Sequence, residues 1–478
     1  MSDVLRELLY KKYIEPTKRR RQKYIGVEIE MPVLSLENEA VDTDAIQTVT
    51  KEYIEQFDFS VTGIDSDGNI YSAQSQENGD ILSYDCSYNN LELSFGKEKN
   101  LFAIKERFDV YYTALQQLFS EYRYIVTGLG VNPNRNINNN VPIANERYRM
   151  LFHHLSSYPK YERMMMKFHS YPKYGMFSSA SQVQLDVDYE LLAQTVNTFS
   201  LLEPVKAMLF SNSVMLDEDH ETLCSRDMFW ENSTHGINPH NIGMYNCEFE
   251  NADQILSYIE TTSMYCVERS GKYINFPPVP LREYFSSESI TGEYYDNGQY
   301  RTISFKPELS DLKYLRTFKF EDITYRGTIE YRSVCCQPIS DVMTVSAFHL
   351  GAMSKTKELS ELLKNDHTIY NNGYSAGELR KLLNKRTYPA FMDIDGAYTL
   401  CGQILDIIEE GLRERGLGEE IFLQPLFDRV HNRTNPAREL LRRYEGGEDI
   451  LSIAMDYAAL SPTDSAVSML PLHNAALY

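Results

Sequence analysis

Four stretches of the 478-residue chain set acidic or amide side chains on alternate positions, with aliphatic residues between them. The first is Tyr24-Ile-Gly-Val-Glu28-Ile-Glu30-Met-Pro32. Successive side chains of a strand point to opposite faces, so Glu28 and Glu30 share one face and Ile25, Val27, Ile29 and Met31 the other. In the second stretch Glu92 alternates with Leu91 and Leu93, and Asp85 lies just upstream. The third puts Gln182, Gln184 and Asp186 on one side of Val183, Leu185 and Val187, and the fourth puts Glu330 and Arg332 on one side of Thr328–Arg332. An exposed antiparallel sheet also alternates polar and apolar residues, but surface strands favour Thr, Lys and mixed charge. Here Arg332 is the one cation, and like charges on neighbouring strands repel. A face of this kind is stable when cations fill it. Hard divalent ions with oxygen ligands, Mg²⁺ or Mn²⁺, meet that need and bridge substrate phosphates. The pattern points to a nucleotide site built on a sheet.

The elements that must position these residues are partly legible. Residues 22–95 favour strands. Helices are expected at 3–13, 101–121 and 190–210, the last ended or kinked by Pro204. After a further strand-like block closing near 338 the chain turns helical, at 340–363, 375–385, 398–415 and 436–444. A capping box, Ser375-Ala-Gly-Glu378, and the pair Asn435-Pro436 mark two of the helix starts. The turn-rich stretch 366–374 places a boundary near 355–370.

Composition narrows the function classes. Lys and Arg number 47 against 68 Asp and Glu, a net charge of −21, so a phosphate-backbone binder is not expected. Seven cysteines at irregular spacing, without a CxxC pair, argue against a zinc ribbon or a disulfide scaffold and for reduced thiols in a cytoplasmic protein. The adjacent Cys335 and Cys336 read as buried free thiols. The N-terminus lacks the apolar core of a signal peptide, and no apolar run is long enough for a transmembrane helix. There is no GxxxxGK[ST], and the Gly-Lys pairs at 96–97 and 271–272 lack the rest of that motif. His153-His154 belongs to no HExxH.

The four segments, in this order, resemble the glutamate–cysteine ligase superfamily, nearest its plant-type and proteobacterial branch and the related bacterial carboxylate–amine ligases. Glu28 and Glu30 match the E-x-E of the opening strand, Asp85 and Glu92 the following acidic pair, and Glu92-Leu93-Ser94 the plant E-L-S. Gln182-Val183-Gln184 resembles Q-V-N, with Gln184 in place of the usual Asn. Ser211-Asn212-Ser213 resembles A-N-S, Glu146-Arg147-Tyr148 a G-R-Y, Arg226 to Trp230 an R-x-x-x-W stretch, and Glu330-Tyr331-Arg332 the E-x-R strand. The likeness covers roughly residues 22–340 and implies an α+β fold: a glutamine-synthetase-like antiparallel sheet curled into a funnel, with helices outside. With the boundary set by the turn-rich stretch, a catalytic domain is expected over 1–355 and a helical C-terminal region, to which no family motif carries over, over 356–478.

By the same resemblance the protein is an ATP-dependent ligase that forms a γ-glutamyl amide from glutamate and an amine, first choice cysteine, in the chemistry of glutathione biosynthesis. Glu28, Glu30, Asp85, Glu92, Gln182 and Glu330 would hold two or three Mg²⁺ or Mn²⁺ ions, with Gln182, Gln184 and Arg332 toward the nucleotide. Glu330 and Arg332 would act at the transferring phosphoryl group, and Arg226 and Trp230 would hold the substrate glutamate. Two alternatives stay open: a carboxylate–amine ligase with another acceptor, as in peptide or natural-product modification, and a non-catalytic nucleotide-binding homologue. Small-molecule substrates are expected, with no nucleic acid or membrane partner.

Overall fold

The computed structural model describes residues 2–161, 166–217, 221–370 and 373–461. Its central feature is an open antiparallel sheet built from β1 (Ile25–Ser35), β2 (Phe59–Ile64), β3 (Ile70–Ser75), β4 (Ile81–Tyr84), β5 (Asn90–Glu98), β6 (Tyr124–Val126), β7 (Ser181–Asp186) and a late hairpin. Short β8 (Ile242–Gly243) and the strands β9 (Ser263–Arg269), β10 (Lys272–Pro280), β11 (Ile290–Asp296) and β12 (Gln299–Phe305) come between β7 and that hairpin. Then follow β13 (Phe318–Lys319), β14 (Glu321–Ile323) and β15 (Thr328–Tyr331). The order across the main sheet is β14-β15-β7-β1-β5-β4-β3-β2, with β6 also on β1; β9–β12 form a second sheet, and β8 and β13 pair in parallel. The fold is thus mixed helix and sheet, and its main sheet does not close on itself.

The period-two pattern decides which face is inside. Ile25, Val27, Ile29, Leu91, Leu93, Val183, Leu185, Ile329 and Tyr331 point into one continuous core. Wholly buried residues such as Ile29, Leu91 and Ile329 contribute about 1.5–3 kcal/mol each. The helix Leu192–Phe210 is buried along most of its length on every side, its charged Glu203 and Lys206 included. It continues through Pro204, where the sequence anticipates an end or a kink; burial on all faces outweighs one lost backbone hydrogen bond.

Other helices follow the expected positions: Leu101–Ser120, capped by Asn100, Ala376–Leu383 behind the Ser375–Glu378 capping box, Ile394–Arg415 and Pro436–Glu445. The expected 340–363 helix breaks into Met343–Ser354 and Thr356–Lys364. One segment departs from the strand expectation. Thr43–Phe57 is a helix, started by the Asp42 side chain accepting from the Asp44 N–H, and buries Ala45, Ile46, Val49, Thr50 and Tyr53. Past residue 355 the chain packs Ala376–Leu383 and Thr356–Lys364 against Leu192–Phe210, and Ile394–Arg415 against Met343–Ser354. Residues 462–478 of the C-terminal region lie outside the described residues.

Candidate active site

The register of the sheet assembles the acidic residues. Glu28 on β1 lies opposite Ser94 of β5 and Gln182 of β7, and Glu30 lies opposite Glu92. Gln184 pairs with Glu330 of β15, which in turn pairs with Asp322 of β14. Directly opposed residues share a face, so this row crosses five strands on the side away from the apolar core. Asp85 sits in the turn between β4 and β5. Arg226 and Trp230 lie one turn apart on the short helix Ser225–Glu231. All ten residues singled out from the sequence, Glu28, Glu30, Asp85, Glu92, Gln182, Gln184, Arg226, Trp230, Glu330 and Arg332, line one cavity of about 1120 Å³. Typical small-molecule sites are about 300–1,000 Å³, so this one has room for a nucleotide together with an amino acid.

Local contacts set each side chain. Glu30 accepts from the Ala180 N–H and from Gln182 Nε2, both at 2.8 Å. That leaves Gln182 Oε1 buried without a partner. Ser94 Oγ donates to Glu92 at 2.6 Å, and Tyr148 OH to Asp85 at 3.3 Å. Arg332 Nη1 pairs with Glu330 at 2.9 Å, and its guanidinium lies 5.5 Å from the Phe318 ring. Trp230, which also lines the cavity, stacks against Phe318, with ring centroids 4.8 Å apart. Arg226 is nearly buried and donates from Nη1 to the Val334 carbonyl at 3.1 Å, while its Nε has no partner. Gln184 is engaged by Arg326 at 3.0 Å, toward the rim.

The electrostatics follow from packing carboxylates together out of water. Burial, then Glu92 and Glu330, hold the Glu28 carboxyl well above its ordinary range. Burial and Asp85 push Glu30 up to about 8 and Glu92 up to about 7. Asp322 rises to about 6, mainly through burial, with Arg332 opposing. Burial alone would pull Arg332 down, but Glu330, Asp322, Glu28 and Glu30 outweigh it and raise it.

Among the described residues no three His, Cys, Asp or Glu side chains converge closely enough to hold a metal ion by themselves. The donors are hard oxygens spread along the strands, and the orphaned Oε1 belongs to Gln182, a residue of the same cavity lining. That arrangement fits Mg²⁺, which takes one or two carboxylates and completes its shell with water and substrate phosphate.

Sequence reasoning missed Asp322 and Arg316, and gave Arg147 of the Glu146-Arg147-Tyr148 motif no role; all three line the same cavity. Asp322 was findable: Gly327, at φ +78, closes a hairpin turn that sets Asp322 opposite Glu330. Among the remaining motifs, His154 is buried and held well below its usual range by desolvation, and His153 bonds Glu293. Cys335 and Cys336 are buried and free; the Cys335 sulfur lies 3.4 Å from that of Cys224.

The sequence profile of the Glutamate-cysteine ligase family 2 (GCS2) matches residues 24–455, most of the chain. The protein belongs to that family. As a family member it is 25% identical over 292 residues to the chloroplastic glutamate–cysteine ligase of Solanum lycopersicum, covering 58% of this chain and 52% of the relative. The Arabidopsis thaliana relative is 23% identical over the same length, with 58% and 52% covered. The chain spans about half the length of the curated relatives it matches. Among solved structures, glutamate–cysteine ligase from Francisella tularensis, in complex with AMP, aligns at a TM-score of 0.48 and 11% identity, over 95% of this chain and 92% of that one. No helix among the described residues is long and apolar enough to cross a membrane.

Proposed function

We propose that this GCS2 protein is an ATP- and Mg²⁺-dependent carboxylate–amine ligase that joins the γ-carboxyl of glutamate to an amine, with cysteine as the first acceptor to test. The observation that supports this most is the antiparallel register that sets Glu28, Glu92 and Glu330 on one cavity wall with Arg332 and Arg226 in the same cavity. We read the sheet as the glutamine-synthetase-like funnel of such ligases.

A carboxylate is a poor electrophile. Its oxygen attacks the γ-phosphorus of ATP, the bond to the ADP oxygen breaks, and an acyl phosphate forms. The amine nitrogen then attacks the acyl carbon, the bond to phosphate breaks, inorganic phosphate leaves, and the amine proton passes to solvent. Arg332, fixed by Glu330, stabilises charge on the transferring phosphoryl group as a rigid donor fork. Arg226, in the cavity lining, would pair its guanidinium with the substrate α-carboxylate, and Trp230 walls that end. Glu28, Glu92 and Glu330, with Glu30, Asp85 and Gln182 behind them, would hold two or three divalent cations, Mg²⁺ or Mn²⁺. A bound divalent cation supplies neutralisation of the phosphate oxygens during in-line transfer. No side-chain nucleophile is required.

A different amine acceptor is the second reading, favoured by the size of the cavity and its aromatic wall of Trp230, Tyr265 and Phe318. The test is ADP formation with Mg²⁺, glutamate and a panel of amines, with mass detection of products. ADP release that requires glutamate and cysteine, together with γ-glutamylcysteine, supports the first reading. A γ-glutamyl product with another amine and none with cysteine moves the function to the second. ADP release independent of glutamate with every amine refutes both.

A further inference from the structure

The helix Ser225–Glu231 that carries Arg226 is anchored at its far end by Phe229, wholly buried among the rings of His169, Tyr171, Tyr174 and Phe177, and at its start by Ser213, whose carbonyl accepts from the Ser225 N–H. It is under two turns long, and its N-cap, Cys224, provides no side-chain cap. Among the described residues Arg226 itself makes one side-chain hydrogen bond, to the Val334 carbonyl. With so few contacts of its own, its aim also depends on what holds the chain neighbours around it.

Those neighbours are held from a distant part of the chain. Arg380, on the helix Ala376–Leu383, is 4% exposed and grips Asp227 with a fork, Nε to Oδ2 at 2.8 Å and Nη2 to Oδ1 at 2.9 Å. The same guanidinium donates from Nη1 to Glu203 Oε2 at 2.7 Å and to the Glu203 carbonyl at 3.0 Å. Nη2 also reaches the carbonyl of Ser333, the residue after Arg332, at 3.4 Å. Its plane lies 4.8 Å from the Phe320 ring centroid. One helical turn on, Asn384 accepts from the Cys224 N–H at 2.5 Å and donates to the Cys224 carbonyl at 3.1 Å. Asp227, next to Arg226, and Cys224, two residues before it, are thus braced by one segment, Arg380 to Asn384.

We propose that Arg380 is a positioning residue for substrate binding: by clamping Asp227 against Glu203 and Ser333 it fixes the helix Ser225–Glu231 and aims Arg226 into the cavity. This rests on the reading of Arg226 as the partner of the glutamate α-carboxylate. Arginine is needed because a planar fork holds both Asp227 oxygens while its third nitrogen reaches Glu203; the single ammonium of lysine does one of these tasks. A side chain that never touches substrate would then govern glutamate affinity and leave the ATP end of the cavity largely alone.

The experiment measures KM for glutamate and for ATP in the full chain and in Arg380→Lys, Asp227→Asn, Arg226→Lys and the double variant Arg226→Lys/Arg380→Lys, with Tm recorded for each. Asp227→Asn leaves Arg380 paired with Glu203, so it carries the test if Arg380→Lys does not fold. Either single variant of the clamp is expected to raise the KM for glutamate about tenfold and to change the KM for ATP by less than about twofold. In the Arg226→Lys background Arg380→Lys is expected to add little, because both act through one contact. A folded Arg380→Lys or Asp227→Asn protein with unchanged glutamate KM overturns the positioning role, as does a full further rise in the double variant. Absence of glutamate-dependent turnover in the parent overturns this role together with the function proposed above, whereas an active parent with an unmoved clamp overturns the role alone.

Discussion

Two groups of buried carboxylates lie on opposite sides of the strand β14. On one side Glu203 is wholly buried between Lys206 and Arg380, and Asp227 is held by the Arg380 fork. Burial pulls the Glu203 carboxyl up, but Lys206 and Arg380 override it and hold it below its ordinary range. Glu321, pushed well up by burial and by Glu203, shares a hydrogen bond with that carboxylate. On the other side, beyond Asp322, the carboxyls of Glu28, Glu30 and Glu92 face one another with no ion-pair partner among the described residues, and burial and mutual repulsion raise all three. Both groups crowd carboxyls together, the first enclosed in the core and the second along the cavity wall. The difference is the supply of cations. Matched charge behind β14 binds helices together, while unmatched charge in the cavity is left for a ligand that brings its own positive charge.

The largest effect is expected behind β14. Glu203→Ala strands Lys206 and Arg380 without their shared carboxylate and should cost about 3–5 kcal/mol in chemical denaturation. A loss under about 1 kcal/mol would mean the cluster is not the matched network described.

In the cavity the same kind of change should act on turnover and spare the fold. Glu28→Gln, Glu92→Gln and Glu330→Gln should each lower ATP turnover at least about a hundredfold. Tm without divalent cations should stay equal or rise slightly for Glu28→Gln and Glu92→Gln, since repulsion is removed. Parental turnover in all three would put the carboxylate row outside the chemistry.

Acidity gives a smaller, signed test. Glu30 and Glu92 have folded values near 8 and 7, above the unfolded value of about 4.3. A raised carboxyl contributes stability that is complete below the unfolded value and is lost as pH rises through the folded one. Without divalent cations, Tm should therefore fall by a few degrees between about pH 5 and 8 from these groups. Glu30→Gln and Glu92→Gln should flatten that slope. A slope of the opposite sign that is unchanged in both variants would contradict the described repulsion.

The smallest expected change is at the substrate arginine. Arg226→Lys should raise the KM for glutamate about tenfold with little change in the KM for ATP. Equal effects on both would make Arg226 a structural residue.

The strand alternation was the part of the site written in local sequence. Glu28, Glu30, Glu92, Gln182, Gln184 and Glu330 obey a period of two, and the register needed only antiparallel pairing to align them. Asp322 required recognition of the Gly327 turn, which decides the residue opposite Glu330. The helix Thr43–Phe57 was hidden because Ile46, Val49 and Thr50 are β-branched and read as strand formers, although their spacing with Tyr53 is helical. Arg380 was beyond sequence reach altogether: its partners Asp227 and Glu203 are more than 150 residues away, and nothing in Ala376–Leu383 marks it as more than a surface charge on a capped helix.

The central claim is that the cavity carboxylates hold protons in the free protein because cations are absent, and give them up when cations and nucleotide arrive. The most direct measurement is calorimetric titration of Mg²⁺ and ATP into the protein at about pH 7, in two buffers of different ionisation enthalpy, for the parent and for a Glu30→Gln/Glu92→Gln variant. The expected result is net release of on the order of one proton by the parent, with the release largely gone in the variant. Equal proton release by both proteins, or none by the parent while it binds, would contradict the account.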